Sequence, residues 1–295
     1  MPIVNYYKAA MKKILKEAST YLTYHGIAFP SREAEDILMD FIGVTSRAHL
    51  STIYLNKEQL SNYWQRIYKR SQRMPSAYIH GSVSFLGMPL VVDSRVLIPR
   101  PETELLAEKI IQYLKVRPQI TRFYDVCCGS GCLGLAVKKY CPSVEVILSD
   151  ICPKAVEIAR LNAERNHLSV EILIGDLFSP YTCPADAFVC NPPYLSFTEI
   201  LYSDPEVRCY EPWKALVGGN TGTEFYERIA RNLNKILLPG GVAWLEIGYK
   251  QGEIVTKIFE KCGISGRLYQ DFSGWDRIFF LENHVIDSVS SCDDS

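Results

Sequence analysis

Along residues 1–75 apolar side chains recur at helical spacing. Tyr7, Ala10, Met11, Ile14, Leu15 and Leu22 share one face of a run over 4–24, which Gly26 and Pro30 close. Ser31 reads as the N-cap of a second helix, with Glu33 and Glu35 in its first turn and Ile37, Leu38, Phe41 and Ile42 as a buried stripe ending at Gly43. A third run over 57–73 buries Leu60, Trp64 and Ile67. The pattern predicts a small helical bundle. Its aromatics Tyr63, Trp64 and Tyr68 read as packing residues, because no sheet accompanies them to form a base-stacking platform.

After Ser82 the period shortens. Residues 83–86 and 90–92, parted by Gly87-Met88-Pro89, predict a hairpin inside a linker over 76–98. Beyond it, short apolar runs at 122–127, 144–150, 170–174 and 187–190 alternate with helical stretches. A long loop over 195–223 follows, then a helix over 224–238, a strand over 241–247, a helix over 252–262 and two strands near 266–271 and 277–281. Such alternation makes an α/β domain, here 99–283, with a mostly parallel sheet covered on both faces. The polar tail 284–295 is expected to be disordered.

The candidate chemistry lies where these strands end. The first runs through Asp125 into Cys127-Cys128-Gly129-Ser130-Gly131, where two glycines let backbone approach a ligand and the small side chains of Cys127, Cys128 and Ser130 leave the space open. The dinucleotide spacing is met only as Gly129, Gly131 and Gly134, and no Gly-Lys-Ser/Thr follows, which excludes a phosphate-cradling P-loop. The second strand ends in Asp150, at the distance from Asp125 that brings a carboxylate to ribose hydroxyls. The third leads to Gly175-Asp176-Leu177-Phe178, an acid with apolar neighbours suited to ribose and an adenine edge. Taken singly, each acid reads more readily as a helix cap or turn residue; the run of strand-end signals together with Asn-Pro-Pro-Tyr favours the ligand reading.

Asn191-Pro192-Pro193-Tyr194 follows the fourth apolar run. Its prolines have no N–H and a fixed φ, so the turn offers acceptors on a stiff frame. The Asn191 side-chain oxygen and the Pro192 carbonyl can each accept one hydrogen of a planar NH2 group while the Tyr194 ring covers its flat face.

In this order the motifs resemble the class I S-adenosylmethionine-dependent methyltransferases that act on a planar amino group. Leu97-Ile98-Pro99-Arg100-Pro101-Glu102-Thr103-Glu104, Tyr210-Glu211-Pro212 with Ala215-Leu216-Val217-Gly218-Gly219, and Asp271-Phe272-Ser273-Gly274-Trp275-Asp276-Arg277 resemble more narrowly the release factor glutamine methyltransferases of the PrmC/HemK type. The likeness runs from Glu33 to Leu281. One departure stands out: Cys127 replaces the family's usual glycine, and Cys128 stands where threonine is common. Cysteine is small enough for the turn, but φ > 0 costs it more than glycine.

The resemblance implies a Rossmann-like seven-stranded sheet with the last strand antiparallel, and S-adenosyl-L-methionine as cofactor, released as S-adenosyl-L-homocysteine, without a metal. It implies methylation at N5 of the glutamine in the Gly-Gly-Gln loop of class 1 peptide chain release factors, which the helical bundle over 1–75 would bind. Carried over residue by residue, Asp125, Cys127, Cys128, Gly129, Ser130, Gly131, Asp150, Asp176, Leu177 and Asn191 would contact the cofactor. Asn191, Pro192, Pro193 and Tyr194, with Arg100, Glu102, Thr103 and Glu211, would face the substrate, and Asn191, Pro192 and Tyr194 would carry catalysis.

Composition narrows the remaining choices. A chain of 295 residues with 47% hydrophobic content has room for two domains, and no long apolar span or leader pattern occurs, so a cytoplasmic protein is expected; it is also expected to be a monomer. The ten cysteines form no C-x-x-C pair and read as free thiols, and the five histidines have no ligand spacing. The net charge of -1 conceals a basic start: residues 1–75 hold eleven Lys and Arg against six Asp and Glu, which leaves the remainder acidic. An adenine-N6 or other nucleic-acid amino methyltransferase would use the same acceptors, but it would be expected to carry a broad basic face, so stable DNA binding is not expected. A non-catalytic cofactor-binding scaffold would be expected to have lost Asn191 or its prolines, and all are present.

Overall fold

A computed structural model describes residues 2–283; the tail 284–295 lies outside the described residues. The chain divides into two compact units, one of Met1–Val83 with Asp204–Tyr210, the other of Ser84–Ser203 with the chain from Glu211 onward.

The first unit is helical: α1 (Pro2–Tyr24), α2 (Pro30–Ile42), a 3-10 turn (Arg47–Thr52), α3 (Lys57–Ser71), α4 (Ser76–His80) and, from far along the chain, α9 (Pro205–Tyr210). Met11, Ala18, Leu22, Ile37, Leu38, Tyr63 and Ile67 form its core, and the Tyr63 hydroxyl donates to the Ala34 carbonyl at 3.1 Å. Ser31 is not the N-cap. Phe29 occupies that position in the left-handed region (φ 50°) with Pro30 opening the helix, while Ser31 Oγ hydrogen-bonds Ser19 Oγ at 2.8 Å. A capping box appears instead at Asn56 and Gln59, at the start of α3. Tyr68 is exposed rather than packed, because it sits on the face of α3 opposite Tyr63 and Ile67. The Arg70 guanidinium is buried between Glu33 and Glu206, 3.1 Å from each, and so fastens α9 to α2 and α3. A buried cation is tolerated here because both its flanks are paired.

The second unit is built on a seven-stranded sheet. After the hairpin strands β1 (Ser82–Phe85) and β2 (Met88–Val91) come β3 (Arg122–Val126), β4 (Glu145–Asp150), β5 (Glu171–Ile174), β6 (Ala185–Cys190), the short pair β7 (Leu195–Ser196) and β8 (Val217–Gly219), then β9 (Leu237–Glu246), β10 (Gly266–Gln270) and β11 (Asp276–Glu282). The sheet order is β10-β11-β9-β6-β3-β4-β5. Neighbours from β9 through β5 are parallel, and β11 runs antiparallel to both β9 and β10. The central strands are buried and largely apolar along most of their length, as strands covered on both faces must be. Helices α5 (Pro101–Lys115), α6 (Cys132–Tyr140), α7 (Pro153–Arg165), α10 (Glu224–Ile236) and α11 (Gly252–Glu260) accompany the sheet strands.

The chain moves outward from β3 through β4 to β5, then returns to place β6 on the other side of β3. The switch point therefore falls between β3 and β6, whose ends are level because Val126 pairs with Cys190. The segment 195–223 is no loop: it holds β7, α8 (Phe197–Tyr202), α9, a 3-10 turn (Trp213–Ala215) and β8. Its elements are two to six residues long, too short for periodicity to register.

Candidate active site

At the switch point a crevice of about 860 Å³, counting its open mouth, is lined on one side by Cys127, Cys128, Gly129, Ser130 and Asp150, and on another by Asn191 and Pro193. Val96, Leu97, Pro99 and Thr103 contribute a third wall, and Pro212, Lys214, Ala215 and Phe225 a fourth. Most of the lining is apolar, with a few convergent polar groups, as small-molecule sites are.

The glycine turn is tied down by carboxylates. Asp150 Oδ2 accepts from the Gly129 N–H at 2.9 Å and Oδ1 from the Cys152 N–H at 2.8 Å, leaving further lone pairs for a ligand. Burial raises the Asp150 pKa. Asp125 lies beneath the turn, 1% exposed, with Oδ2 accepting from the Gly134 N–H at 2.7 Å. Its Oδ1 has no partner, and burial, with Asp150 nearby, pushes the carboxyl up to about 7. Cys127 adopts φ 61°, the left-handed conformation expected to cost a cysteine more than a glycine. Gly131, at φ 80°, precedes α6 and could not carry a Cβ without crowding Leu135, Leu148 and Ala159.

The Asn-Pro-Pro-Tyr turn is held differently. Asn191 and Pro193 face the crevice, whereas Pro192 is buried and Tyr194 packs against the core cluster that includes Tyr226 and Ile247. Gln251 Nε2 donates to the Tyr194 carbonyl at 2.8 Å. A Cβ on Gly218 would collide with the Pro193 carbonyl oxygen, and one on Gly222 with the Tyr194 carbonyl oxygen, so both glycines are needed for β8 and its following turn to close over this segment.

The other expected residues are spread around these two turns. Thr103 lines the crevice and donates to Glu246 Oε2 at 2.7 Å. Glu211, 4% exposed, accepts from the Ile98 N–H at 3.2 Å and from the Arg100 guanidinium, so it braces the 97–100 wall. Glu102 is partly exposed in the first turn of α5. Asp176 is held by Arg228 at 2.6 Å, and Leu177 is buried in the core at φ 47°; neither is among the residues lining the crevice.

Two residues escaped the sequence reading. Glu246, 2% exposed at the end of β9, accepts from Thr103 and lies beside the Asn191 side chain, which favours its charged form, while burial raises its pKa to about 7. Its signal was an acid inside the apolar run Trp244-Leu245-Glu246-Ile247. Asn162, fully buried on α7, donates to the Ser130 carbonyl at 2.9 Å and exchanges hydrogen bonds with the Val91 backbone, fastening the glycine turn to β2. It was marked only as an amide on the apolar face of Ala155, Ile158 and Ala159.

The fold is that of a class I methyltransferase. Residues 102–202 match the family model described as the methyltransferase small domain, and 13–81 that of the PrmC N-terminal domain. A methyltransferase from Pyrococcus furiosus, 19% identical, superimposes with a TM-score of 0.52 over 76% of this chain and 100% of that one, which shows the shared fold. The release factor glutamine methyltransferase of Chlamydia trachomatis serovar L2 is 59% identical over 95% of this chain and 97% of its own length. That of Clostridium acetobutylicum is 36% identical over 83% and 89%. The chain belongs to the release factor glutamine methyltransferase family.

Proposed function

We propose that the chain methylates N5 of the glutamine in the Gly-Gly-Gln loop of class 1 peptide chain release factors in the cytoplasm, with S-adenosyl-L-methionine as methyl donor. The observation that carries the reading is the meeting of the glycine turn, Asp150 and Asn191 around one crevice. S-adenosyl-L-methionine supplies an electrophilic methyl group on a sulfonium cation. The residues present fit such a ligand: Asp150, which lines the crevice, retains lone pairs for ribose hydroxyls, and the small side chains of the glycine turn leave room beside it.

A carboxamide nitrogen is a weak nucleophile because its lone pair is delocalised. Asn191 Oδ1 and the Pro192 carbonyl would accept its two hydrogens, draw density onto nitrogen and fix its direction, with the Tyr194 ring as flat cover. Such placement is worth several kcal/mol, on the scale of effective molarities of about 10⁵ M or more. The released proton can pass to solvent. Arg100 and Glu211 would shape the wall that guides the glutamine in, with Glu102 and Thr103 beside it.

The helical unit, with its basic surplus, would hold the release factor away from that loop. Replacing the exposed Lys12, Lys13 and Lys16 of α1 by Glu should raise the KM for intact factor more than for a glutamine peptide; equal effects would remove that role. The catalytic reading is tested by transfer of labelled methyl to a purified release factor, to its Gln→Ala variant in the Gly-Gly-Gln loop and to duplex DNA. Label on the wild-type factor alone supports it, and label on DNA or on neither refutes it.

A further inference from the structure

Asn191 can serve as an acceptor only if its side-chain oxygen, and not its nitrogen, faces the crevice. The two ends of an amide are nearly identical in shape, so their hydrogen-bond partners decide which end points where. Behind Asn191 lies Glu246. The pairing of Cys190 with Leu245 on the parallel strands β6 and β9 brings the next residue of each, Asn191 and Glu246, side by side at the strand ends. Glu246 is 2% exposed and accepts from Thr103 Oγ1 at 2.7 Å through Oε2, and the Asn191 side chain beside it favours its charged form. An ionised carboxylate has only acceptors, so the end of the Asn191 amide that turns toward it is the NH2 group.

We infer that Glu246 is a positioning residue which, in its ionised form, holds the Asn191 NH2 and so turns the Asn191 oxygen toward the substrate amide. The inference rests on the proposed glutamine methylation. Glu246 makes no contact with substrate in this scheme; it acts through Asn191, and Thr103 fixes its other oxygen.

The arrangement is sensitive to protonation. Burial lifts the Glu246 pKa to about 7, Thr103, Arg277 and Asn191 favour the charged form, and Glu102 opposes it. The remaining neighbours, Tyr194, Tyr226 and the Cys132 thiol, have pKa values raised by burial and stay neutral, with the Tyr226 hydroxyl donating to the Glu246 backbone carbonyl at 2.9 Å. A protonated Glu246 becomes a donor and pairs equally well with the Asn191 oxygen, which would present NH2 to NH2 at the reacting centre.

The test compares wild type and Glu246→Gln in labelled methyl transfer to a release factor between about pH 5.5 and 8, a window that spans the shifted carboxyl. Wild-type kcat is expected to fall on the acidic side as a single proton is taken up near pH 7. Glu246→Gln, which can satisfy either amide orientation, should lower kcat about tenfold at pH 8 and lose the acidic limb, leaving the KM for the factor and the affinity for S-adenosylmethionine within about twofold. A merely structural loss would scale the rate at every pH and leave the limb in place, and that result overturns the inference. Should the variant not fold, the wild-type profile decides: a flat kcat over the window overturns it. Absence of transfer by wild type to the factor would instead refute the glutamine methylation itself.

Discussion

The two turns that face each other across the crevice are built on opposite principles. The turn after β3 is rich in backbone N–H groups and positive φ, and carboxylates hold it: Asp150 takes the Gly129 N–H and Asp125 the Gly134 N–H. The turn after β6 has two prolines without N–H groups, and it is held by close packing of its carbonyls against Gly218 and Gly222 and by one donor from Gln251. The first exposes donors and acids, which suits a ligand with hydroxyls and positive charge. The second exposes acceptors, which suits an NH2 group. Charge-held and packing-held turns should fail in different ways.

The largest effect is expected at the packing-held turn. Asn191→Ala should lower kcat on the order of 10²-fold, as loss of one positioned hydrogen bond does, with S-adenosylmethionine still bound by titration calorimetry. Turnover within threefold of wild type would show that the acceptor has no such role. Gly222→Ala combines φ 79° with a collision against the Tyr194 carbonyl, and should lower kcat about tenfold through displacement of the turn. Unchanged donor affinity in that variant would separate the two turns cleanly, whereas a parallel loss of donor binding would show that they move together.

At the charge-held turn the expected signature is a pH dependence. The folded-state pKa of Asp125 lies near 7, above its unfolded value of about 4, so between these limits the folded chain binds the extra proton. Stability should therefore be highest toward pH 4 and fall as pH rises to 7. Glu246 contributes in the same direction. Asp125→Asn keeps an acceptor for the Gly134 N–H, and should flatten the fall of Tm between pH 5 and pH 7.5 without removing it; an unchanged slope would mean that Asp125 is not the group that titrates. The smallest effect is expected from Cys127→Gly, which relieves the left-handed strain and should raise stability by up to about 1 kcal/mol, read as a rise in Tm.

Much of the crevice was legible in the chain because strand ends are marked locally. Gly129, Asp150 and Asn191 each follow an apolar run, with Asp125 buried beneath the first turn rather than lining the crevice, and parallel strands covered on both faces bring such ends to one edge of the sheet. Asp176 carried the same mark, yet its carboxylate is engaged by Arg228, a partner 52 residues away that no local pattern foretells. The predicted cap at Ser31 failed for a local reason: Phe29 takes the left-handed conformation, and the Pro30 ring already supplies a helix start. The segment 195–223 was misread because its elements are shorter than a helical period can reveal, and because α9 packs in the other unit, where Arg70 meets Glu206.

The sequence by itself determined the alternation of strands and helices, the two turns and the kind of group each presents, since these follow from side-chain periodicity, proline and glycine chemistry and the spacing of acids. Only the tertiary structure decided which buried groups hold them. Glu246 lies 55 residues from Asn191 and 143 from Thr103, and Asn162 lies 32 from Ser130 and 71 from Val91. Such partners are chosen by strand order and register, which arise from the packing of the whole sheet and leave no trace in any short stretch of the chain.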